Sequence, residues 1–173
     1  QTVPLATGEA TTHSLNTGVP HAVLYVPDAD QAMVNQLGSE IRRHAHFAPR
    51  GTNVNFVQVL GANHIRVRTF ERGVEGETLA CGTGVSAAAL ISARVHGFTS
   101  PVKVHVQGGD QLEVSFKDDG DEFDDVRLTG PALECKMARR VLQDLYELAA
   151  NGHHIDERDV RNATRMASEG LAP

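Results

Sequence analysis

Apolar positions recur along the chain in two rhythms, one of strands and one of helices. Between His64 and Phe70 (HIRVRTF) they alternate, with Ile65, Val67 and Thr69 on one side, as in a half-buried strand. Val54, Phe56 and Val59/Leu60 mark another strand at Asn53 to Leu60, and Gly61-Ala62-Asn63 supplies the turn between the two. Val102 to Val106 (VKVHV) and Leu112 to Phe116 (LEVSF) flank Gln107-Gly108-Gly109-Asp110, a hairpin signal. His21 to Pro27 (HAVLYVP) alternates poorly but is rich in Val, Leu and Tyr, as a buried strand is, and a last short strand is expected at Asp125 to Leu128. A loose Thr/Gly-rich opening with strand-like and turn-like pieces precedes them.

The helical rhythm is clearest at Thr83 to Gly97 (TGVSAAALISARVHG), where small and apolar residues occupy nearly every turn and Gly97 provides a stop. This predicts a helix buried on most sides. Met33, Val34, Leu37 and Ile41 share one face of a shorter helix that Asp28 or Asp30 can cap and that ends near His44, before Pro49. A third helix is expected over Ala132 to Ala150, with Met137, Val141, Leu142, Leu145 and Leu148 at helical spacing, followed from Asp156 by a charged surface helix or frayed end. The division expected is a domain over 1–131 and a helical extension over 132–173 packed on it.

Composition narrows the function classes. The 173 residues carry a formal net charge of −6, so the positive field that draws proteins to nucleic acid or anionic membranes is missing. The longest apolar run, within Val85 to Val95, is broken by Ser86, Ser92 and Arg94, well short of the roughly 20 residues a spanning helix needs. Two cysteines make no disulfide framework, and no basic segment leads into an apolar stretch at the start, so a cytoplasmic setting is expected. The chain opens on Gln1 rather than Met, as a piece of a longer chain would.

Chemistry concentrates in Glu71 to Gly84 (ERGVEGETLACGTG), between a strand end and the buried helix. Cys81-Gly82-Thr83-Gly84 falls at the helix N-terminus, where unpaired N–H groups and the helix dipole favour anions. That place can stabilise a thiolate and hold a carboxylate, with glycine allowing close approach. A small buried hydrophobe is the bland reading of Cys81; the flanking glycines and the Glu71-Arg72 pair favour the functional one.

Glu71-Arg72-Gly73 followed by Gly76-Glu77-Thr78-Leu79-Ala80-Cys81-Gly82-Thr83-Gly84 resembles the second catalytic motif of the diaminopimelate epimerase family. The resemblance extends to Gly51-Thr52-Asn53-Val54-Asn55-Phe56, Gly18-Val19-Pro20-His21 and Gly108-Gly109-Asp110, covering about 18 to 130 in the family's order; residues after Pro131 lie outside it. It implies an α+β fold of two similar halves, each a mostly antiparallel or mixed sheet wrapped around a central helix, here Thr83 to Val95. It also implies inversion at an amino-acid α-carbon without metal, pyridoxal phosphate or other cofactor, by two cysteines acting on opposite faces of the substrate. One thiolate takes the α-proton and the other thiol delivers one, because a single base returns its proton to the face it came from.

Residue by residue, the resemblance makes Cys81 one catalytic thiol and Glu71 and Arg72 substrate-binding residues. Asn53 becomes a side-chain contact, Gly82 and Thr83 the carboxylate-holding turn, and His21 a histidine beside the site. The alternative for Glu71 is a solvated strand-end charge and for Arg72 an ion pair with Glu75 or Glu77, while Asn53 alone reads as an ordinary turn residue.

Val19 stands where the family motif has a substrate-binding Asn, and Glu75 lengthens the Glu71-to-Cys81 interval relative to some members. The other half of the family's site, a Cys-Gly-Asn-Gly motif, is absent from these residues. Cys135, without flanking glycine, reads as a packed residue and does not replace it. Expected partners are a small amino-acid substrate, an N-terminal half domain carrying the second cysteine, and a second copy in a possible homodimer. The alternatives are a racemase of the same fold acting on another amino acid, such as proline or histidine, and a non-catalytic binding half. His44-Ala45-His46 and His153-His154 read as solvated or capping histidines rather than metal ligands.

Overall fold

The computed structural model describes residues 1–130. The opening is more ordered than its composition suggests: β1 (Thr2–Leu5) and β2 (Gly8–Thr11) form a two-stranded antiparallel sheet, and β3 (His13–Asn16) begins the main one. Its short strands bury little apolar surface, Val3 apart, so alternation could not reveal them. The main sheet continues through β4 (Pro20–Tyr25), β5 (Asn53–Gly61), β6 (His64–Glu71), β7 (Gly76–Thr78), β8 (Val102–Val106), β9 (Gln111–Asp118) and β10 (Phe123–Thr129). Its strand order is β10-β9-β8-β6-β5-β4-β3, with β7 also paired to β6.

Pairing is antiparallel except at β4–β5 and β6–β8. Those two parallel pairs need crossovers, which are the helices α1 (Val34–Arg43) and α2 (Gly82–His96). The result is the mixed sheet around a central helix that the family resemblance implies. α2 touches both end strands, β3 and β10, as well as β4, β5, β6, β8 and β9, so the sheet curls about it. α1 packs on the opposite face, against β5, β6 and β7.

Strand alternation sorts the core onto these two faces. Val23, Val57, Ile65, Val67, Val104 and Val114 point to α2, whereas Ala22, Leu24, Val54, Phe56 and Phe70 surround Val34 and Ile41 of α1. The enclosed helix meets the sheet with Ala87, Ala88, Ala89 and Ala93, all buried, because only small side chains let strands approach a helix from several sides.

The entry to α1 departs from expectation. Neither Asp28 nor Asp30 caps it: Met33 is the capping position and makes no side-chain cap, while Asp28 Oδ1 accepts from the Asp30 N–H at 2.8 Å. The preceding loop is held instead by Arg68, whose guanidinium donates to the carbonyls of Ala29, Asp30 and Ala32 and pairs with Glu77 at 2.6 Å.

β6 shares one edge between two partners. His64 to Val67 pair with β8, and Thr69 to Glu71 pair with β7, a strand of three residues too short for periodicity to show. The Gly108 N–H donates to the Leu79 carbonyl at 2.9 Å, tying the turn after β8 to the residue leaving β7. Leu79, Ala80 and Cys81 thus lead from the end of β7 directly into α2.

The α1–β6 contact depends on Gly38, where an added Cβ would lie 2.5 Å from Phe70 Cβ. Gly38→Ala should lower stability by about 1–3 kcal/mol in urea unfolding, although alanine favours a helix by about 1 kcal/mol. A stability gain would show that the two elements are not packed this closely.

Candidate active site

Three strands deliver polar side chains to the place where α2 begins. His21 pairs in register with Asn53, and Asn55 with Thr69, so these four residues lie at one end of the sheet, all buried. Burial obliges each to find partners within the protein. Thr69 Oγ1 donates to Asn55 Oδ1 at 3.0 Å, and Asn55 Nδ2 lies 3.1 Å from the Ala22 carbonyl and 3.2 Å from His21 Nδ1. His21 Nε2 is 3.0 Å from Thr83 Oγ1, which is 3.5 Å from Cys81 Sγ. The chain of contacts therefore runs from the sheet interior to the thiol.

Cys81 is the capping residue of α2, with extended backbone angles and its carbonyl accepting from Val85 N–H at 2.8 Å. It is buried, 8% exposed, whereas Gly82 and Thr83 are exposed. The N–H groups of the helix's first turn have no carbonyl one turn earlier and face outward with the positive end of the dipole. An open cleft of about 870 Å³ lies beside them, lined by Gly82, Thr83, Ser86, Leu90, Phe123 and Leu128 among others.

Arg72 makes neither of the ion pairs expected of it, and its guanidinium lies 3.5 Å from the Arg50 carbonyl. Glu75 binds Arg42 and Arg43 at 2.8 and 2.7 Å and Glu77 binds Arg68, so neither expected partner pairs with Arg72, which has no carboxylate partner among the described residues. Asn53 fixes the Arg72 backbone: its Oδ1 accepts from the Arg72 N–H at 2.8 Å, while Nδ2 donates to the Pro20 carbonyl at 3.2 Å. Asn53 is thus already engaged at both ends. Glu71, at the end of β6, makes no ion pair among the described residues, and its carbonyl accepts from Glu75 N–H.

Asn55, Thr69 and Gly84 were not distinguishable as site residues from the sequence. Asn55 had one available signal, an amide two residues after Asn53 and therefore on the same face of a buried strand. Gly84 is buried against it, and a Cβ there would overlap Asn55 Oδ1.

His44 Nδ1 accepts from the His46 N–H and so caps a short 3-10 turn, His46 contacts Gln1, and no metal-ligating cluster of three or more groups occurs among the described residues. Cys135, His153-His154 and the helices expected beyond Ala132 lie outside the described residues. No helix among the described residues is long and apolar enough to cross a membrane.

A curled mixed sheet enclosing a helix that a cysteine heads defines this as an α+β protein. The family model for diaminopimelate epimerase matches residues 13–133. Diaminopimelate epimerase of Chlorobaculum tepidum is 46% identical over 129 residues, covering 74% of this chain and 49% of that one. The Aquifex aeolicus enzyme of the same name is 45% identical over 134 residues, covering 75% and 47%. A solved phenazine biosynthesis protein of the PhzF family from Enterococcus faecalis aligns with a TM-score of 0.45 at 19% identity, covering 63% of this chain and 38% of that one.

The chain belongs to the diaminopimelate epimerase family, and it spans about half the length of the curated relatives it matches.

Burial, and then the charge of Arg72, push the His21 pKa down to about 4. The folded protein therefore refuses a proton that the unfolded chain accepts below about pH 6.5. Stability from this group is full above that pH and falls as pH drops toward 4, by about 2 kcal/mol after allowance for solvent screening. Unfolding free energy measured against pH should slope less over this window in His21→Leu; an unchanged slope would show that His21 is not buried neutral.

Proposed function

We propose that this chain supplies one half of the active site of a cofactor-independent amino-acid epimerase that converts LL-diaminopimelate to meso-diaminopimelate with two thiols. The observation that carries the reading is the placement of Cys81 Sγ beside the exposed first turn of α2. An amino acid whose α-carboxylate accepts from the N–H groups of Gly82 and Thr83 presents its α-carbon to the thiol. As the α-proton leaves, charge grows on that carboxylate, and the same N–H groups stabilise it most when it is largest.

The proton balance requires a second group. Cys81, as thiolate, takes the α-proton from one face and becomes a thiol, while a thiol on the opposite face protonates the carbanion and becomes a thiolate; in the reverse direction the roles exchange. That second thiol would come from an N-terminal half domain, as the family resemblance implies. Arg72 and Glu71 would bind the charged groups of the substrate, Asn53 would act by holding Arg72, and His21 would support the thiol through Thr83. No metal or cofactor has a part, and a cytoplasmic enzyme is the corresponding setting, with a homodimer as a further possibility.

Val19, half-buried in the turn between β3 and β4, favours a second reading. An apolar side chain where the family motif places an amide removes one polar contact, which suits a less polar amino acid. Turnover on diaminopimelate, proline and histidine separates the two readings, and preference for either of the last two overturns the first.

In the protein that carries both halves, Cys81→Ala should abolish epimerisation, by at least about 10³-fold, with the circular dichroism spectrum unchanged. Near-normal turnover in that variant would refute the assignment. Arg72→Met should raise KM more than it lowers kcat.

A further inference from the structure

We propose that Asn55 is a positioning residue: it fixes the tautomer of His21 and thereby turns the Thr83 hydroxyl proton toward Cys81 Sγ. The argument starts from a group that cannot change its role. The Ala22 carbonyl, 3.1 Å from Asn55 Nδ2, only accepts, so the amide nitrogen must lie on that side and the amide oxygen on the side of Thr69, whose hydroxyl donates to it at 3.0 Å.

The same nitrogen has a second hydrogen, and His21 Nδ1 is 3.2 Å away. A ring nitrogen that receives an N–H is unprotonated, so the neutral imidazole carries its proton on Nε2. That proton is donated to Thr83 Oγ1 at 3.0 Å. Thr83 then accepts from His21 and has its own hydrogen to give, and Cys81 Sγ stands 3.5 Å away. With the opposite tautomer Nε2 would accept the Thr83 proton, and the sulfur would face a lone pair.

Several features hold this arrangement. Gly84 leaves room for Asn55 Oδ1 beneath the helix, a space a Cβ would occupy. His21 is 1% exposed, and burial and Arg72 keep it neutral. The groups around it are Asn53 and Asn55 on β5, Thr83 and Cys81 at α2, and the charged Glu71 and Arg72 at the end of β6; none of the others supplies a competing donor to Nδ1 among the described residues. The benefit to proton transfer rests on Cys81 acting as proposed above, whereas the tautomer does not.

The experiment uses the full chain with ¹⁵N-labelled histidine at pH 7. His21 should show an unprotonated Nδ1 and a protonated Nε2; the reverse assignment overturns the proposal without any variant being made. Alkylation of Cys81 by iodoacetamide, followed by peptide mass spectrometry, is the second readout. Asn55→Leu and Thr83→Val should each slow it by about fivefold, as expected for loss of one hydrogen bond to the sulfur, and Thr83→Ser should not. In a Thr83→Val background Asn55→Leu should add nothing; a further fivefold loss would mean that Asn55 acts by another route, and the proposal fails. Loss of the catalytic reading through an active Cys81→Ala variant would leave both readouts standing.

Discussion

α2 is held to a single strand at two points whose separations must agree. Thr83 meets His21 near its start, and near its end Ser92 donates to the Ala88 carbonyl while Tyr25 donates to Ser92 Oγ at 2.9 Å. Four residues of strand at about 3.3 Å each span roughly 13 Å, and nine residues of helix at 1.5 Å span about 13.5 Å. β4 and α2 therefore run side by side in matched lengths, and the polar contacts at both ends are made without distortion. The apolar packing between these points is non-directional and would tolerate a slide along the axis. The two polar contacts remove that freedom and set the height of Cys81 above the sheet.

That constraint separates the molecule's stability from its chemistry. Valines and alanines fill the middle of the enclosed face, and the polar residues His21, Asn53, Asn55 and Thr69 gather at the end where the helix begins. Buried polar groups cost free energy unless fully partnered, and here each has a partner in another element. The sheet end is thus rigid enough to hold a thiol in one place, while the turn above it stays exposed to a ligand.

Much of the fold was legible because its long elements follow their periods. β6 and β8 alternate over a buried face, β5 carries Val54, Phe56 and Val57 in a stretch buried on both faces, and α2 is recognisable from its run of small and apolar residues. β1, β2, β3 and β7 were not, since strands of three or four residues bury too little to leave a pattern. The cap expected at α1 is absent, and the loop before the helix is fixed instead by Arg68, distant in sequence, which donates to its carbonyls. The site divides similarly: Cys81, Gly82 and Thr83 sit in one local motif, whereas Asn55 and Gly84 matter through an approach between a strand and a helix that no short window contains.

Glu75 illustrates a different kind of economy. It has a left-handed backbone, φ 60°, and grips Arg42 and Arg43 at the last turn of α1, so the residue that lengthens the turn also braces it. Three residues earlier the same turn carries Arg72. The turn that carries Arg72 is consequently geared to a helix on the far face of the sheet, so that exchanges at the outer end of α1 offer evolution a remote adjustment of that turn which leaves every residue at the start of α2 untouched.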